Sequence, residues 1–230
     1  EQGNTSARSN LAIMYRFGKG ITKDYKKAVK WYSLGAKQGD IKSQLALGWM
    51  YLNGEGVAQD YKEAFKWYSL GAKQGDAISQ SNLGMMYDLG KGVTQDYKEA
   101  FKWYRLSANQ GNAVAQNSLG MMYSNGIGIA PDYKKALMWY RLAAEQGDAF
   151  AQSNIGGSYA TGKGVAQDYK EAVKWNRLSA EQGNALAQAK LGTAYRYGRG
   201  VTEDHIQAHK WYSIAVKNGE ELVRKFRDAI

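Results

Sequence analysis

The hydrophobic and polar positions of the chain recur with a period of 36 residues along almost its whole length. In one segment of each period Gln, Leu, Gly and Tyr recur with little change at relative positions 0, 3, 4 and 7, as in Gln44, Leu47, Gly48 and Tyr51. This spacing places the four residues on one side of an α-helix. A second segment carries a tryptophan that keeps the same period, at Trp31, Trp67, Trp103, Trp139, Trp175 and Trp211. The pattern predicts two helices in every period, here called helix A and helix B.

Capping residues predict where these helices begin and end. In the second period helix A runs from about Ile41 to Leu52, and helix B runs from about Tyr61 to Gln74. Asp60 stands at the N-cap of helix B, and Glu63 is placed to complete a capping box. Gly75 follows helix B, where a left-handed C-cap is favoured. Because no alternating β-branched runs occur, the predicted fold class is all-α.

A fixed period of this length is the signature of a solenoid. The chain, 1–230, is predicted to be a single solenoid of six helix-turn-helix repeats, at 4–39, 40–75, 76–111, 112–147, 148–183 and 184–219. Residues 1–3 copy the end of a repeat, which predicts a further repeat upstream. Without that repeat, an otherwise monomeric chain is expected to associate through its apolar N-terminal end.

Residues 220–230 depart from the repeat pattern and predict a C-terminal capping helix. In that helix Leu222, Val223, Phe226 and Ile230 are expected to cover the end of the sixth repeat. Arg224, Lys225 and Arg227 are expected to face water.

Taken alone, the segment Gly90-Lys91-Gly92 resembles a phosphate-binding loop. Such a loop follows a β-strand and requires its lysine. Here the segment recurs in all six repeats, and its middle residue changes to Glu55 in the second and Ile127 in the fourth. The glycines are therefore predicted to form turns between helix A and helix B. No nucleotide or other cofactor is expected.

The recurring residues resemble the consensus of the Sel-like repeat (SLR), a relative of the tetratricopeptide repeat. In the third period the matching residues are Leu83, Gly84, Tyr87, Gly90, Gly92, Asp96, Tyr97, Ala100, Trp103, Tyr104, Gln110 and Gly111. The resemblance implies an α–α superhelical solenoid whose concave groove is lined by helix A. It also implies an adaptor or scaffold of a bacterial envelope or host-interaction system, and hence a periplasmic or secreted location. Several family members resemble immunity or regulatory proteins that sequester an enzyme.

Three residues depart from this consensus. Ala12 replaces the helix A glycine, Asn176 replaces the tyrosine that follows Trp175, and His205 replaces the tyrosine after the helix B cap. The last two are expected to loosen the fifth and sixth repeats without changing the fold.

The side of helix A opposite the constant residues varies from repeat to repeat. In the second repeat it consists of Lys42, Ala46, Trp49 and Asn53. A variable surface on a constant framework, rich in methionine, aromatic and amide groups, is typical of protein or peptide binding. The predicted partner-binding residues are Trp49, Asn53, Asn82, Met85, Leu89, Met121, Asn125, Phe150, Asn154, Lys190 and Tyr197. The alternative is that apolar members of this surface pack against the neighbouring repeat, foremost Ile78, Val114, Phe150 and Leu186, and also Trp49, Met85 and Met121.

Much of the positive charge lies on helix B, in a chain with a formal net charge of +10. The lysines form two ladders, one at Lys62, Lys98, Lys134 and Lys170, and one at Lys30, Lys66, Lys102, Lys174 and Lys210. A basic stripe can attract nucleic acid or anionic lipid, because neutralisation of phosphates dominates such binding. Glutamates lie among the lysines, however, so a solvated surface is the favoured interpretation.

The sequence offers little support for catalysis or metal binding. Cysteine is absent from the chain, which excludes disulfides and thiolate metal sites. His205 and His209 stand four residues apart on helix B, a spacing that can hold a metal. Both occupy the packing register of the repeat, so core packing is expected instead. No apolar run approaches the roughly 20 residues that a transmembrane helix needs.

The chain is therefore predicted to be a non-catalytic adaptor or scaffold that binds a protein or peptide partner in the helix A groove. One alternative is an immunity or inhibitor protein that sequesters a secreted toxin enzyme. Another is a protein that binds anionic lipid or nucleic acid through helix B. A salt titration separates the last alternative, because binding to phosphates weakens steeply with salt.

Overall fold

The computed structural model describes residues 5–229, with side chains from Ser6 onward. Residues 1–3, which predict a further repeat, lie outside this range, as does Ile230. Within it there are thirteen α-helices, one 3₁₀ turn and no β-strand. The elements are α1 (Thr5–Phe17), α2 (Tyr25–Lys37), α3 (Ile41–Asn53), α4 (Tyr61–Lys73), α5 (Ala77–Leu89), α6 (Tyr97–Asn109), α7 (Ala113–Asn125), α8 (Tyr133–Glu145), α9 (Ala149–Thr161), α10 (Tyr169–Glu181), α11 (Ala185–Arg196), α12 (His205–Lys217), the 3₁₀ turn Glu221–Val223 and α13 (Arg224–Arg227).

The first twelve helices form six tandem hairpins, so the predicted all-α repeat fold is confirmed. Odd-numbered helices from α1 to α11 are helix A, and even-numbered helices from α2 to α12 are helix B. The side chain of Asp60 accepts from the backbone N–H groups of Lys62 and Glu63 at 2.9 and 3.1 Å. Gly75 follows α4 with φ +91°, the left-handed conformation expected beyond a helix C-terminus.

The predicted capping box is wrong in its second half. The backbone N–H of Asp60, which Glu63 was expected to bind, donates instead to the carbonyl of Tyr51 at 3.0 Å. Because that donor is already satisfied by the end of helix A, the Glu63 carboxylate turns along the helix. It accepts from Lys66 Nζ at 2.9 Å.

The glycine pairs form the turns between helix A and helix B, as predicted. Gly90 ends α5 with φ +65°, and Gly92 follows with φ +73°. A Cβ on Gly92 would lie 2.1 Å from the carbonyl oxygen of Tyr61, at the start of helix B of the preceding repeat. Lys91 Nζ lies 5.3 Å from the centroid of the Tyr61 ring. The loop therefore touches the preceding repeat through its backbone and through a cation–π contact.

The helices divide into two compact units, an N-terminal unit, Glu1–Asn112, and a C-terminal unit, Ala113–Ile230. In both units the conserved helix A glycine lies against a buried tyrosine of helix B. A Cβ on Gly48 would lie 2.5 Å from the ring of Tyr68, and a Cβ on Gly120 would lie 2.4 Å from the ring of Tyr140. In these hairpins the glycine allows the two helices to close around a tyrosine, which fills the space between them.

Buried glutamines connect successive hairpins within a unit. Gln80 Nε2 donates to the Ala72 carbonyl of the preceding helix B at 3.2 Å, and Gln80 Oε1 accepts from Gln110 at 2.8 Å. Gln44 and Gln188 make the same bond to the preceding helix B, with Ala36 and Ala180 as acceptors. The glutamine is thus a buried polar group satisfied by neighbouring helices, as its recurrence on the packing face indicates.

We expect Gln80→Leu to lower the free energy of unfolding by about 2 kcal/mol, because it removes two buried hydrogen bonds, one to the Ala72 carbonyl and one from Gln110. Urea denaturation followed by circular dichroism measures the loss. Gln95→Leu is the matched control, since Gln95 Nε2 also donates to a backbone carbonyl, that of Asp88, but in an exposed position. The control should lose less than about 1 kcal/mol. Equal losses would show that burial of the glutamine is immaterial.

The C-terminal segment only partly follows the predicted cap. Val223 is buried beside Tyr212 and Ala215, and the Phe226 ring centroid lies 6.2 Å from that of Tyr212. Leu222, predicted to be covered, is 80% exposed. The reason is that residues 221–223 form a 3₁₀ turn, so the continuous α-helical spacing assumed for this segment does not apply. Ile230 lies outside the described residues.

The expectation that His205 and His209 pack in the core is wrong, because both side chains are exposed. His205 Nε2 lies 3.1 Å from Glu203 Oε1. In the second repeat the corresponding residue, Tyr61, is half-buried and contacts Lys91 in the glycine loop of the following repeat. Helix α12 is the last helix B, and within the described residues no later loop covers its first turn.

Candidate functional site

The variable side of helix A in the N-terminal unit presents a mixture of exposed and half-buried side chains. Trp49 is 44% exposed and Leu89 is 53% exposed, and Asn53 is exposed as well. Asn82 and Met85 are half-buried. Met85 also packs against the cluster that contains Tyr68 and Met86, so it contributes to the core as well as to the surface.

Trp49 is held in place by a chain of polar contacts. Its Nε1 donates to Glu55 Oε1 at 3.2 Å, and its carbonyl accepts from Asn53 Nδ2 at 2.9 Å. Glu55 also forms a salt bridge at 3.0 Å with Arg16 of α1, in the preceding repeat. These contacts hold the indole in one orientation.

In the C-terminal unit the predicted site residues fall into two groups. Met121, Phe150 and Tyr197 are 43%, 66% and 53% exposed, and Asn125 is exposed too. Asn154 and Lys190 are instead engaged with the preceding helix A. Asn154 Nδ2 donates to Asn117 Oδ1 at 3.0 Å, and Lys190 Nζ donates to the carbonyl and the hydroxyl of Ser153, both at 2.9 Å.

The ammonium group of Lys190 is partly removed from water. Burial lowers the pKa of Lys190 to about 8. No carboxylate lies within ion-pair distance of its Nζ in the part of the chain that the structure describes. The sequence singled out Lys190 from its place on the variable stripe but gave no sign of this burial.

The four apolar residues near the start of helix A, for which packing against a neighbouring repeat was the alternative, are each at least half exposed. Ile78, Val114, Phe150 and Leu186 are 51%, 61%, 66% and 50% exposed. Three of them, Ile78, Val114 and Leu186, were therefore missed as surface residues. Their place on the variable stripe was visible, but packing against the neighbouring repeat was left open as the alternative for these apolar side chains.

Helix B carries a surface of a different kind. Lysines of the second ladder are paired along the helix with glutamates, as in Lys66 with Glu63, Lys102 with Glu99 and Lys174 with Glu171. The glutamates of these pairs lower the net positive charge of the basic stripe. One leucine is exposed by 38–47% on helix B of each of the first five repeats, at Leu34, Leu70, Leu106, Leu142 and Leu178. The residue at this helix B position is therefore constant in these repeats, whereas the residues on the helix A surface differ from repeat to repeat.

The structure contains few elements of catalytic or metal chemistry in the residues that it describes. Over that range no three His, Cys, Asp or Glu side chains come together in a possible metal site. No helix in the described range is long and apolar enough to cross a membrane.

Comparisons with known proteins agree with this architecture. The model of the Sel1 repeat matches residues 5–40, 41–76, 77–112, 113–148, 149–184 and 185–220. A search of curated proteins returned no match. Among solved structures, a protective antigen of uropathogenic Escherichia coli with an SLR fold is 39% identical, with a TM-score of 0.87. The alignment covers 96% of this chain but 47% of the antigen, so the chain spans about half of that protein's length.

Two further structures extend the comparison. A Sel1 repeat protein from Oxalobacter formigenes is 32% identical with a TM-score of 0.86, and the alignment covers 92% of this chain and 85% of that one. An immunity protein from Pseudomonas aeruginosa is 20% identical with a TM-score of 0.57, over 94% of this chain and 83% of that one, a likeness of fold alone. Sel1 repeat proteins are in general non-enzymatic scaffolds for protein interactions. With six matched repeats over nearly its whole length, the chain belongs to the Sel1 repeat family.

Proposed function

We propose that the chain is a non-catalytic scaffold that binds a protein or peptide partner through the variable surfaces of its A helices. The observation that carries this proposal is the contrast between constant and variable residues. The buried positions of Leu47 and Gly48 are nearly constant, with one replacement each, Ile155 and Ala12, while the exposed position of Trp49 and Met121 differs in most repeats. Packing explains the constant residues, and recognition of an irregular partner surface explains the variable ones.

The chemistry of the exposed residues fits a protein partner. Tryptophan, tyrosine and methionine bury large areas on binding, and residues of these types are enriched at protein interfaces. Trp49, already oriented by Glu55, is the expected anchor of the N-terminal unit. Phe150 and Met121 are the expected anchors of the C-terminal unit, since both are exposed apolar residues on successive A helices.

Two other functions remain as alternatives to a scaffold. Sequestration of a toxin enzyme is supported by the fold shared with an immunity protein, and it predicts one very tight partner whose activity is abolished. Binding of nucleic acid or anionic lipid through helix B is disfavoured by the lysine–glutamate pairs. A location in the bacterial periplasm or outside the cell belongs to the same proposal.

Site-specific photo-crosslinking in extracts of the source organism tests the proposal. A photoreactive residue is placed at position 49 or 121 on helix A, and in control proteins at Leu70 or Leu142 on helix B. Each pair lies in one unit and has similar exposure. We expect the helix A positions to yield a discrete crosslinked protein that the helix B positions do not. Crosslinks from helix B alone, or loss of binding in proportion to salt, would contradict the assignment of the surface.

A further inference from the structure

The C-terminal unit contains a cavity of 420 Å³ that opens between α9, α10 and α11. This volume lies within the range of about 300–1,000 Å³ typical of small-molecule sites. A neighbouring cavity of 210 Å³ shares Gly157, Thr161 and Lys190 with it. Both cavities lie wholly within this unit, so their walls belong to one compact body.

The larger cavity exists because the fifth repeat has small side chains at three positions where other repeats have larger ones. Asn176 stands where the fourth repeat has Tyr140, a residue that is 4% exposed and fills its hairpin. Gly157 replaces a residue that is Met121 in the fourth repeat, and Ala160 replaces Ser124. All three replacements line the cavity. The sequence departure at Asn176 thus loosens the fifth repeat in a specific way, by opening a binding-sized space.

Two polar groups in the walls lack a complementary partner. Asn176 is 5% exposed, and its Oδ1 accepts no hydrogen bond. Lys190 Nζ uses two of its three hydrogens on Ser153 and has no carboxylate partner in the described residues. An unpaired buried acceptor and an uncompensated ammonium are both costly, and a ligand that satisfies them recovers that cost.

The remaining wall is apolar with basic residues at its edge. Val173, Leu186 and Ala189 contribute apolar surface to the larger cavity, and Arg199 joins Lys190 as its second basic residue. Lys163 lines the smaller cavity. Among the described residues that line either cavity, none is acidic. The walls are therefore complementary to an apolar body that carries a negative charge.

We propose that this cavity binds an aromatic carboxylate. The ring occupies the space that a tyrosine side chain fills in the other repeats, and the carboxylate pairs with the Lys190 ammonium. A donor group on the ligand satisfies Asn176 Oδ1. The burial that lowers the pKa of Lys190 to about 8 also strengthens its attraction to an anion, because the ion pair forms away from water. This ligand site does not depend on the proposed partner surface.

Isothermal titration calorimetry with 4-hydroxyphenylacetate tests the site. For a ligand of this size we expect a dissociation constant between about 10 µM and 1 mM. Asn176→Tyr restores the residue of the other repeats, so it should fold and abolish binding by filling the cavity. Lys190→Asn, which introduces the residue that the third and fifth repeats have at this position, should weaken binding at least about tenfold. Lys134→Asn, on the exposed helix B ladder of the same unit, should leave binding unchanged.

The ligand chemistry has two possible sources, a free aromatic acid and the carboxyl terminus of a peptide that ends in an aromatic residue. Tighter binding of a tripeptide that ends in tyrosine would identify the peptide source, and weaker binding would identify the free acid. Three results would overturn the proposal. The first is that the wild type binds neither 4-hydroxyphenylacetate nor the tripeptide. The second is that Asn176→Tyr binds 4-hydroxyphenylacetate as tightly as the wild type does. The third is that the wild type binds 4-hydroxyphenylacetamide, which has no carboxylate, with the same affinity as 4-hydroxyphenylacetate.

Discussion

Gly92→Ala is expected to lower the free energy of unfolding of the N-terminal unit by about 3 kcal/mol or more. Two costs add at this position. An alanine with φ +73° is strained by about 1 kcal/mol, as L-residues are in the left-handed region. Its Cβ would also lie 2.1 Å from the Tyr61 carbonyl oxygen, so the loop and the preceding helix B must separate. Urea denaturation measures the loss.

Gly90→Ala provides the matched control in the same loop. Gly90 also has a positive φ, +65°, but a Cβ there meets its nearest neighbour, Gln95 Cβ, at 3.3 Å. Because the exposed Gln95 side chain can shift slightly, we expect the control to lose about 1–2 kcal/mol, most of it conformational. The difference between the two losses of unfolding free energy measures how much the contact between the loop of one repeat and the preceding repeat contributes to stability. Equal losses would show that this contact contributes nothing to the stability of the unit.

Asn176→Tyr is expected to raise the free energy of unfolding of the C-terminal unit by about 2 kcal/mol. The tyrosine ring would fill the cavity beside α9, and the substitution removes a buried acceptor that has no partner. Gly156 already provides the close approach that a tyrosine needs, because the helix A glycine is retained in this repeat. Thermal and urea denaturation both report the gain.

Asn125→Tyr controls for the general effect of adding a tyrosine to this unit. Asn125 is exposed at the end of α7, so no cavity is filled there and a change of less than about 0.5 kcal/mol is expected. A loss of stability in Asn176→Tyr would mean that the fifth repeat has repacked around its asparagine. The cavity would then not be the space of a missing tyrosine.

Helix positions were predictable from the sequence because local chemistry repeats six times. Aspartate at the N-caps of α3 and α4, and glycine soon after each of these helices, define boundaries that agree with the structure within one residue. The error at Glu63 arose where a tertiary contact intervened. The Asp60 N–H is satisfied by Tyr51 of the preceding helix, and that bond depends on how the hairpin closes. Local spacing carries no information about it.

Surface and core were harder to separate from the sequence. Recurrence in register indicated burial correctly for Gln44, which bonds to two neighbouring helices. The same reasoning was wrong for His205 and His209, which occupy the packing register but are exposed. Whether a periodic position is covered depends on the distance to the next hairpin, which sequence spacing does not give. From Asn176 the sequence predicted only that the fifth repeat is more loosely packed. The volume of the cavity could not be predicted, because it depends on the positions of α9, α10 and α11 together.

The most direct test of the proposed interaction surface is the equilibrium dissociation constant of the crosslinked partner for two matched double variants. Trp49→Ala with Phe150→Ala removes one helix A anchor from each unit, and Leu70→Ala with Leu178→Ala removes exposed apolar groups from helix B of the same units. If the A helices carry recognition, the first variant weakens binding at least about tenfold and the second less than about twofold. Equal weakening, or greater weakening by the leucine variant, would contradict partner binding through the A helices.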